Sequence, residues 1–390
     1  MQLLLLCMTA LLLLTSANGL DARTKNAAKS NSYTPPPPPQ GGRIVSFRPS
    51  KQTKASVPVF ANSLFKTKGT SNAKRGVIGL TGKGRDGSQT FPDIYQVVAD
   101  HHALAVPNFY EARDRGQSTT DGVHASYLNA TRDMVWPEKS VGSWVTGEDA
   151  AEGGLGNDYD LAGAQISSYD VIDQLVRLYS DKSIYPNMQD IVVAGHSAGG
   201  KTTVSYSYIS DETPEGIRVR YVHLNSPSSI FSESHRPLST SSCSSYQSWP
   251  YGPQGQQPRY VSSRLQAATF ARWVSRDVVR VTGNADTQTQ GDDSDCGATV
   301  QGGRDRLSRN YGAWVYENML AGTKTDLSEF KAYKQLQKSG LKSQNVGVFN
   351  KRLAIVDGVG HDSTKMFASR IGRQSILDDH IDQGPLPTKQ

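Results

Sequence analysis

Apolar residues in this chain come in short runs, and the runs alternate between strand-like and helix-like spacing. Ile44–Phe47 and Val57–Phe60 are brief runs that predict an opening hairpin. Val77-Ile78-Gly79-Leu80 has the compactness of a buried strand and ends in Thr81-Gly82-Lys83-Gly84. Ile94, Val97, Val98 and Leu104 follow helical spacing, and Ala105–Phe109 predicts another strand. Val171, Leu175 and Leu178 predict a second helix, followed by the strand Ile191-Val192-Val193-Ala194. Arg220–Leu224, Val278–Thr282 and Leu353–Val356 are three further strand candidates, and Met366, Phe367 and Ile371 suggest a closing helix. Strands alternating with helices imply βαβ units and a mostly parallel sheet. In such sheets functional groups collect beyond the carboxyl ends of the strands, so the residues just after each strand are of interest.

Two stretches are too long and too polar to be simple connections. Residues 111–165 and 228–272 are rich in Gly and Ser and carry Trp136, Trp144, Tyr246, Trp249, Tyr251 and Tyr260. Both follow predicted strands, which places them on the functional face, and long insertions of this type commonly form lids or binding loops. Their aromatics are expected to make ordered cleft walls, with Trp249 against substrate.

Composition sharpens the ends of the chain. With 36% hydrophobic and 20% charged residues the sequence suits a folded, polar protein, and no apolar run reaches the ~18–20 residues of a membrane span. Leu3–Leu6 and Leu11–Leu14 instead bracket a shorter apolar stretch, followed by Ala17-Asn18-Gly19. That pattern predicts a signal peptide over 1–19 and hence secretion, with an uncleaved anchor as the alternative. Residues 20–42, with the run Pro35–Pro39, read as a disordered, proline-rich spacer. The folded domain is expected over 43–380, with a flexible tail at 381–390. Secretion would remove Cys7, and the remaining Cys243 and Cys296 are expected to pair in an oxidising compartment. Asn129-Ala130-Thr131 is the single N-glycosylation sequon. The net charge of +6 is spread over scattered residues such as Lys66, Lys68, Lys74 and Arg75, so it reads as a solvated surface and not as a nucleic-acid site.

Candidate chemistry centres on Gly195-His196-Ser197-Ala198-Gly199. An apolar strand precedes this Gly-x-Ser-x-Gly motif and a helix-compatible run, 201–208, follows it, the context of a nucleophile elbow. A serine hydroxyl needs a base and an orienting acid to act as a nucleophile. Among the histidines after Ser197, His223 lies inside a strand pattern, His235 in a polar insertion and His380 near the end of the chain. His361 follows a strand and the turn Asp357-Gly358-Val359-Gly360, and is the candidate base. Asp286 turns off the strand Val278–Thr282 through Gly283-Asn284-Ala285 and is the candidate acid, with Asp292, Asp293 and Asp295 as competitors. Oxyanion donors are expected at the backbone N–H of Ala198 and of Lys83, with Gly84 as the alternative to Lys83. Gly82, Gly84, His196 and Asn225 are expected beside substrate.

These residues, in this order, resemble the α/β-hydrolase superfamily from about Arg43 to Leu377, on Gly195–Gly200, Thr282–Asp286 and Gly358–Asp362. Asn225-Ser226-Pro227-Ser228-Ser229 and Gln301-Gly302-Gly303-Arg304 are also similar to segments of secreted serine hydrolases in that superfamily. The resemblance implies an α/β-hydrolase fold, its mostly parallel sheet flanked by helices, with the polar insertions as a partial cap. It also implies carboxylic-ester hydrolysis by Ser197, His361 and Asp286, with neither metal nor organic cofactor. The substrate would be an ester, polymeric or soluble, and no nucleic-acid partner or membrane insertion is implied. A lipase or peptidase on the same residues, or a non-catalytic binding protein, are the alternatives. One departure stands out: Thr81-Gly82 replaces the usual His-Gly before the oxyanion loop.

Overall fold

A computed structural model of the chain describes residues 34–111, 114, 127–138, 143–151, 159–289 and 295–387. The expected signal peptide, spacer residues 20–33 and the competitors Asp292 and Asp293 lie outside the described residues. The centre is an eight-stranded sheet in the order β1-β2-β4-β3-β7-β8-β9-β10. Its strands are β1 (Gly42–Phe47), β2 (Val57–Asn62), β3 (Arg75–Leu80), β4 (Ala103–Pro107), β7 (Asp190–His196), β8 (Arg218–Leu224), β9 (Asp277–Gly283) and β10 (Lys351–Val356). The first two form the expected antiparallel hairpin, β2 also runs antiparallel to β4, and every pairing from β4 onward is parallel. A short parallel pair, β5 (Tyr110–Glu111) with β6 (Val135–Trp136), stands apart in the first insertion.

The central strands are apolar on both faces, apart from buried polar residues such as Arg220, His223 and Arg280, because both faces are covered. Ile191, Val193, Tyr221, Val278 and Ile355 face one cluster, with α2 (Ser168–Ser180), α3 (Ala198–Ile209), α5 (Phe270–Ser275), α7 (Arg306–Ala321) and α8 (Lys331–Lys338). Val192, Ala194, Val222, Val279 and Ala354 face the other, with α1 (Gly87–Val98), α9 (Ser363–Ala368) and α10 (Arg370–Leu377). Leu104, which the helical spacing counted into the first helix, belongs to β4 instead, because α1 ends where Ala99 turns to φ 44°. Two one-turn helices, α4 (Arg259–Ser262) and α6 (Cys296–Thr299), complete the described set.

The insertions carry their own cores. Trp136 and Trp144 are buried and pack on Phe109, edge-on at 5.1 Å and stacked at 5.6 Å. Trp249 is 1% exposed and its Nε1–H donates to the Thr146 carbonyl at 3.0 Å, joining the two insertions. The expectation that Trp249 lines substrate is therefore corrected. In segments this polar, the aromatics are the apolar mass available for packing, and an indole also needs a partner for its N–H when buried. Cys243 and Cys296 are disulfide-bonded and link the second insertion to α6. Asn129 sits in a tight turn where its Oδ1 accepts from the Thr131 N–H and hydroxyl.

Both expected boundaries shift. Pro36 is buried and β1 starts at Gly42, so the described end of the proline run joins the domain. At the other end the expected flexible tail is fastened through residue 383. Ile381 packs on the second cluster, Asp382 exchanges hydrogen bonds with the Gln374 side chain, and the Gln383 carbonyl accepts from the Ile355 N–H at 2.7 Å. The reason is that β10 is an edge strand with donors to satisfy.

Candidate active site

The sharp passage from β7 into α3 dictates the residue types around Ser197. Ser197 has φ 59° and ψ −121°, a backbone conformation non-glycine residues adopt only under constraint. A Cβ on Gly195 would lie 2.4 Å from the Gly199 carbonyl carbon, and one on Gly199 would lie 2.2 Å from the Leu80 carbonyl oxygen. Both positions therefore exclude side chains, and the turn lifts Ser197 beyond the sheet. Its N–H donates to the Leu224 carbonyl at 3.0 Å, anchoring it to the end of β8. Ala198 is the first residue of α3, so its N–H has no partner four residues back within the helix.

Residues up to 164 positions along the chain converge on this hydroxyl. His361 Nε2 lies 2.9 Å from Ser197 Oγ, and His361 Nδ1 lies 3.0 Å from Asp286 Oδ2. Asp286 is fully buried, whereas the His361 side chain keeps 22% exposure toward the cleft. The sequence-derived trio is thus assembled at the carboxyl ends of β7, β9 and β10. Asp295, a competitor for the acid, instead accepts from the Tyr251 hydroxyl at 2.7 Å. His223 is buried within β8, and His235 and His380 contact Glu233 and Asp382.

The acid and base loops are joined to each other. Asn284 Oδ1 accepts from the Gly358 N–H and its Nδ2 donates to Asp357, both at 2.7 Å, while the Ala285 N–H donates to the Val359 carbonyl at 3.1 Å. Asn225, expected beside substrate, is a fully buried bridge. Its Oδ1 accepts from the Gly283 N–H at 2.8 Å, and its Nδ2 donates to the Gly360 carbonyl at 2.9 Å. Its φ of 47° suits asparagine, which tolerates the left-handed region better than most residues.

His196 is also buried, its ring centroid 4.6 Å from that of His361. Burial, then His361 and Arg306, drive its pKa well below the usual imidazole range, so it stays neutral. His196 is therefore a packing neighbour of the base. Arg306, at the start of α7, places a guanidinium nitrogen 3.8 Å from Asp286 Oδ1, an oxygen with no hydrogen bond. Nothing in the sequence singles Arg306 out, because α7 lies beyond the strand pattern that located the acid.

The loop after β3 closes the other side. The position a Gly82 Cβ would take is 4.0 Å from the His196 carbonyl oxygen, so the turn after β3 passes beside the elbow. Among the described residues no group of three His, Cys, Asp or Glu side chains is arranged to hold a metal ion.

No protein-family model matches the chain. Nor does any curated protein. Solved structures do. LpqC, a poly(3-hydroxybutyrate) depolymerase from Bordetella parapertussis, is similar with a TM-score of 0.53 at 16% identity, over 88% of this chain and 92% of its own. Poly(aspartic acid) hydrolase-1 from Sphingomonas sp. KT-1 is similar with a TM-score of 0.52 at 13% identity, over 87% of this chain and 99% of its own. The chain has the α/β-hydrolase fold.

Proposed function

We propose that the protein is a serine hydrolase acting on carboxylic esters. The observation that carries this reading is the unbroken line Ser197 Oγ, His361, Asp286 at hydrogen-bond distances on a strained elbow. In the proposed reaction His361 Nε2 takes the Ser197 proton as Oγ attacks the ester carbonyl carbon. The carbonyl π electrons move to the oxygen, which the N–H groups of Ala198 and the Thr81–Gly84 loop stabilise. Asp286 holds the ring through Nδ1–H and stabilises the imidazolium. Collapse of the intermediate expels the alcohol, protonated by His361, and leaves an acyl group on Ser197. A water molecule deprotonated by His361 then releases the acid and restores the serine.

The signal-like N-terminus and the Cys243–Cys296 pair support an extracellular enzyme, with Asn129 as its glycosylation site. The names of the two similar structures place polymeric substrates, poly(3-hydroxybutyrate) first, in the panel worth assaying. The polar character of both insertions speaks for esters in water over a lipid interface. The test is fluorophosphonate labelling of the wild type against Ser197→Ala, followed by a p-nitrophenyl ester chain-length series. Stoichiometric labelling that disappears in Ser197→Ala is expected. A folded wild type that does not label would leave the binding-protein alternative standing.

A further inference from the structure

The loop beside the elbow is held by a charge the reaction does not use. Arg85 is fully buried at φ 52°, and its Nε and Nη2 donate to the two oxygens of Asp114, each at 2.8 Å. Asp114 is fully buried too, and belongs to the first insertion, 29 residues along the chain. Its Oδ2 also accepts from the Glu111 N–H at 2.7 Å, and the Glu111 carboxylate lies 3.4 Å from Arg85 Nη1.

Two further contacts of Arg85 fall on the loop after β3. Its backbone N–H donates to the Gly82 carbonyl at 3.0 Å, and its Nη1 donates to the Lys83 carbonyl. Among the described residues the one cis peptide is Trp249-Pro250, so the planes joining Gly82 to Lys83 and Lys83 to Gly84 are trans. In a trans plane the carbonyl and the N–H point in opposite directions. Drawing both carbonyls toward Arg85 turns the N–H groups of Lys83 and Gly84 away from it. The elbow lies against the same loop, with the Gly199 Cβ position 2.2 Å from the Leu80 oxygen and 2.7 Å from the Thr81 oxygen.

We propose that Arg85, gripped by Asp114, is the positioning residue of the oxyanion hole: its guanidinium holds the Lys83 carbonyl and so aims the Gly84 N–H of the same peptide plane at the developing oxyanion. The first insertion thereby sets transition-state stabilisation without touching substrate. This also accounts for Thr81-Gly82 in place of His-Gly: the loop is oriented from its far side by a buried guanidinium. The proposal rests on the serine-hydrolase reading.

The test replaces the ion pair with apolar side chains of similar bulk, Arg85→Met with Asp114→Leu, so that Asp114 is not left as a buried charge without its guanidinium. Arg85→Lys serves as a second variant, since an ammonium cannot grip both Asp114 oxygens and the Lys83 carbonyl at once. With p-nitrophenyl butyrate, kcat of the double variant is expected to fall by about 10²–10³-fold, while KM stays within about threefold. The inhibition constant of an aryl trifluoromethyl ketone, whose serine adduct carries an oxyanion, is expected to rise by a similar factor. Fluorophosphonate titration run to completion should still count one site per chain. Arg85→Lys should fall between. Retained kcat in the double variant, an unchanged ketone inhibition constant, or a kcat loss matched by lost titratable sites would overturn the proposal. Ser197→Ala, run alongside, separates the two claims: turnover close to wild type there would indict the serine reading itself.

Discussion

On one side of Ser197 the turns after β8, β9 and β10 hold one another through hydrogen bonds made by Asn225, Asn284 and nearby backbone groups, all neutral but the one accepted by the exposed Asp357 carboxylate. On the other side the turn after β3 is held by a buried guanidinium and a carboxylate from an insertion. The difference lies in how each side fails. Neutral hydrogen bonds contribute about 0.5–1.5 kcal/mol apiece, so the acid-and-base side loses its geometry gradually. Removing one member of a buried ion pair costs about 3–5 kcal/mol, so the oxyanion side fails abruptly.

The sharpest probe of the first side is Asp286→Asn, which removes the acid's charge and keeps its shape. We expect kcat to fall by about 10³–10⁴-fold. Stability should fall by about 1–3 kcal/mol, because Arg306 loses its carboxylate but keeps 13% exposure and the loop is fastened by its neighbours. A larger loss of stability in denaturant titration would show that charge holds this side as well, and the contrast would collapse. Asn225→Ala should act more mildly on turnover, with a stability loss of about 1–3 kcal/mol and a kcat lowered by about tenfold. If urea titration finds its stability unchanged, the bridge between the β8, β9 and β10 turns carries no weight.

The smallest effect on activity is expected at Asp173, away from both loops. It accepts from the hydroxyls of Tyr206 and Tyr260, and burial lifts its carboxyl to about 6. The folded state then binds this proton more tightly than the unfolded chain, whose carboxyl titrates near ~3.9. Stability from this group is present below pH 4 and is lost as pH rises from about 4 to about 6. Asp173→Asn should therefore raise stability at pH 7, by up to about 3 kcal/mol, and change it little at pH 3.5. Ester turnover should be unaltered. A variant equally stabilised at both pH values would rule out this titration as the cause.

The two sides also differ in how legible they were. Ser197, Asp286 and His361 could be read because each follows an apolar run that can only be a strand, in an order the resemblance supplied. Arg85 could not, because its partner sits in a polar insertion with no periodicity. Arg306 was missed with its helix: α7 buries Arg309, Asn310, Glu317 and Asn318, and buried polar residues blur the helical spacing of its apolar ones. Glu317 in fact neutralises buried Arg280 at 2.6 Å, a role no spacing reveals. Trp249 and Asn225 were read as substrate contacts from their neighbourhoods. A side chain near the cleft in sequence can as readily build the wall as face the space inside it.

The segment after α10 has a meaning beyond the fold of one chain. Its Gln383 carbonyl takes the Ile355 N–H, one of the edge donors of β10 that a strand from another molecule could otherwise use. Edges left open in this way recruit partners indiscriminately, through strand exchange or cross-β growth. Residues 381–383 cover part of that edge, and a chain shortened to residue 380 is expected to self-associate more readily in sedimentation velocity while its ester turnover is kept.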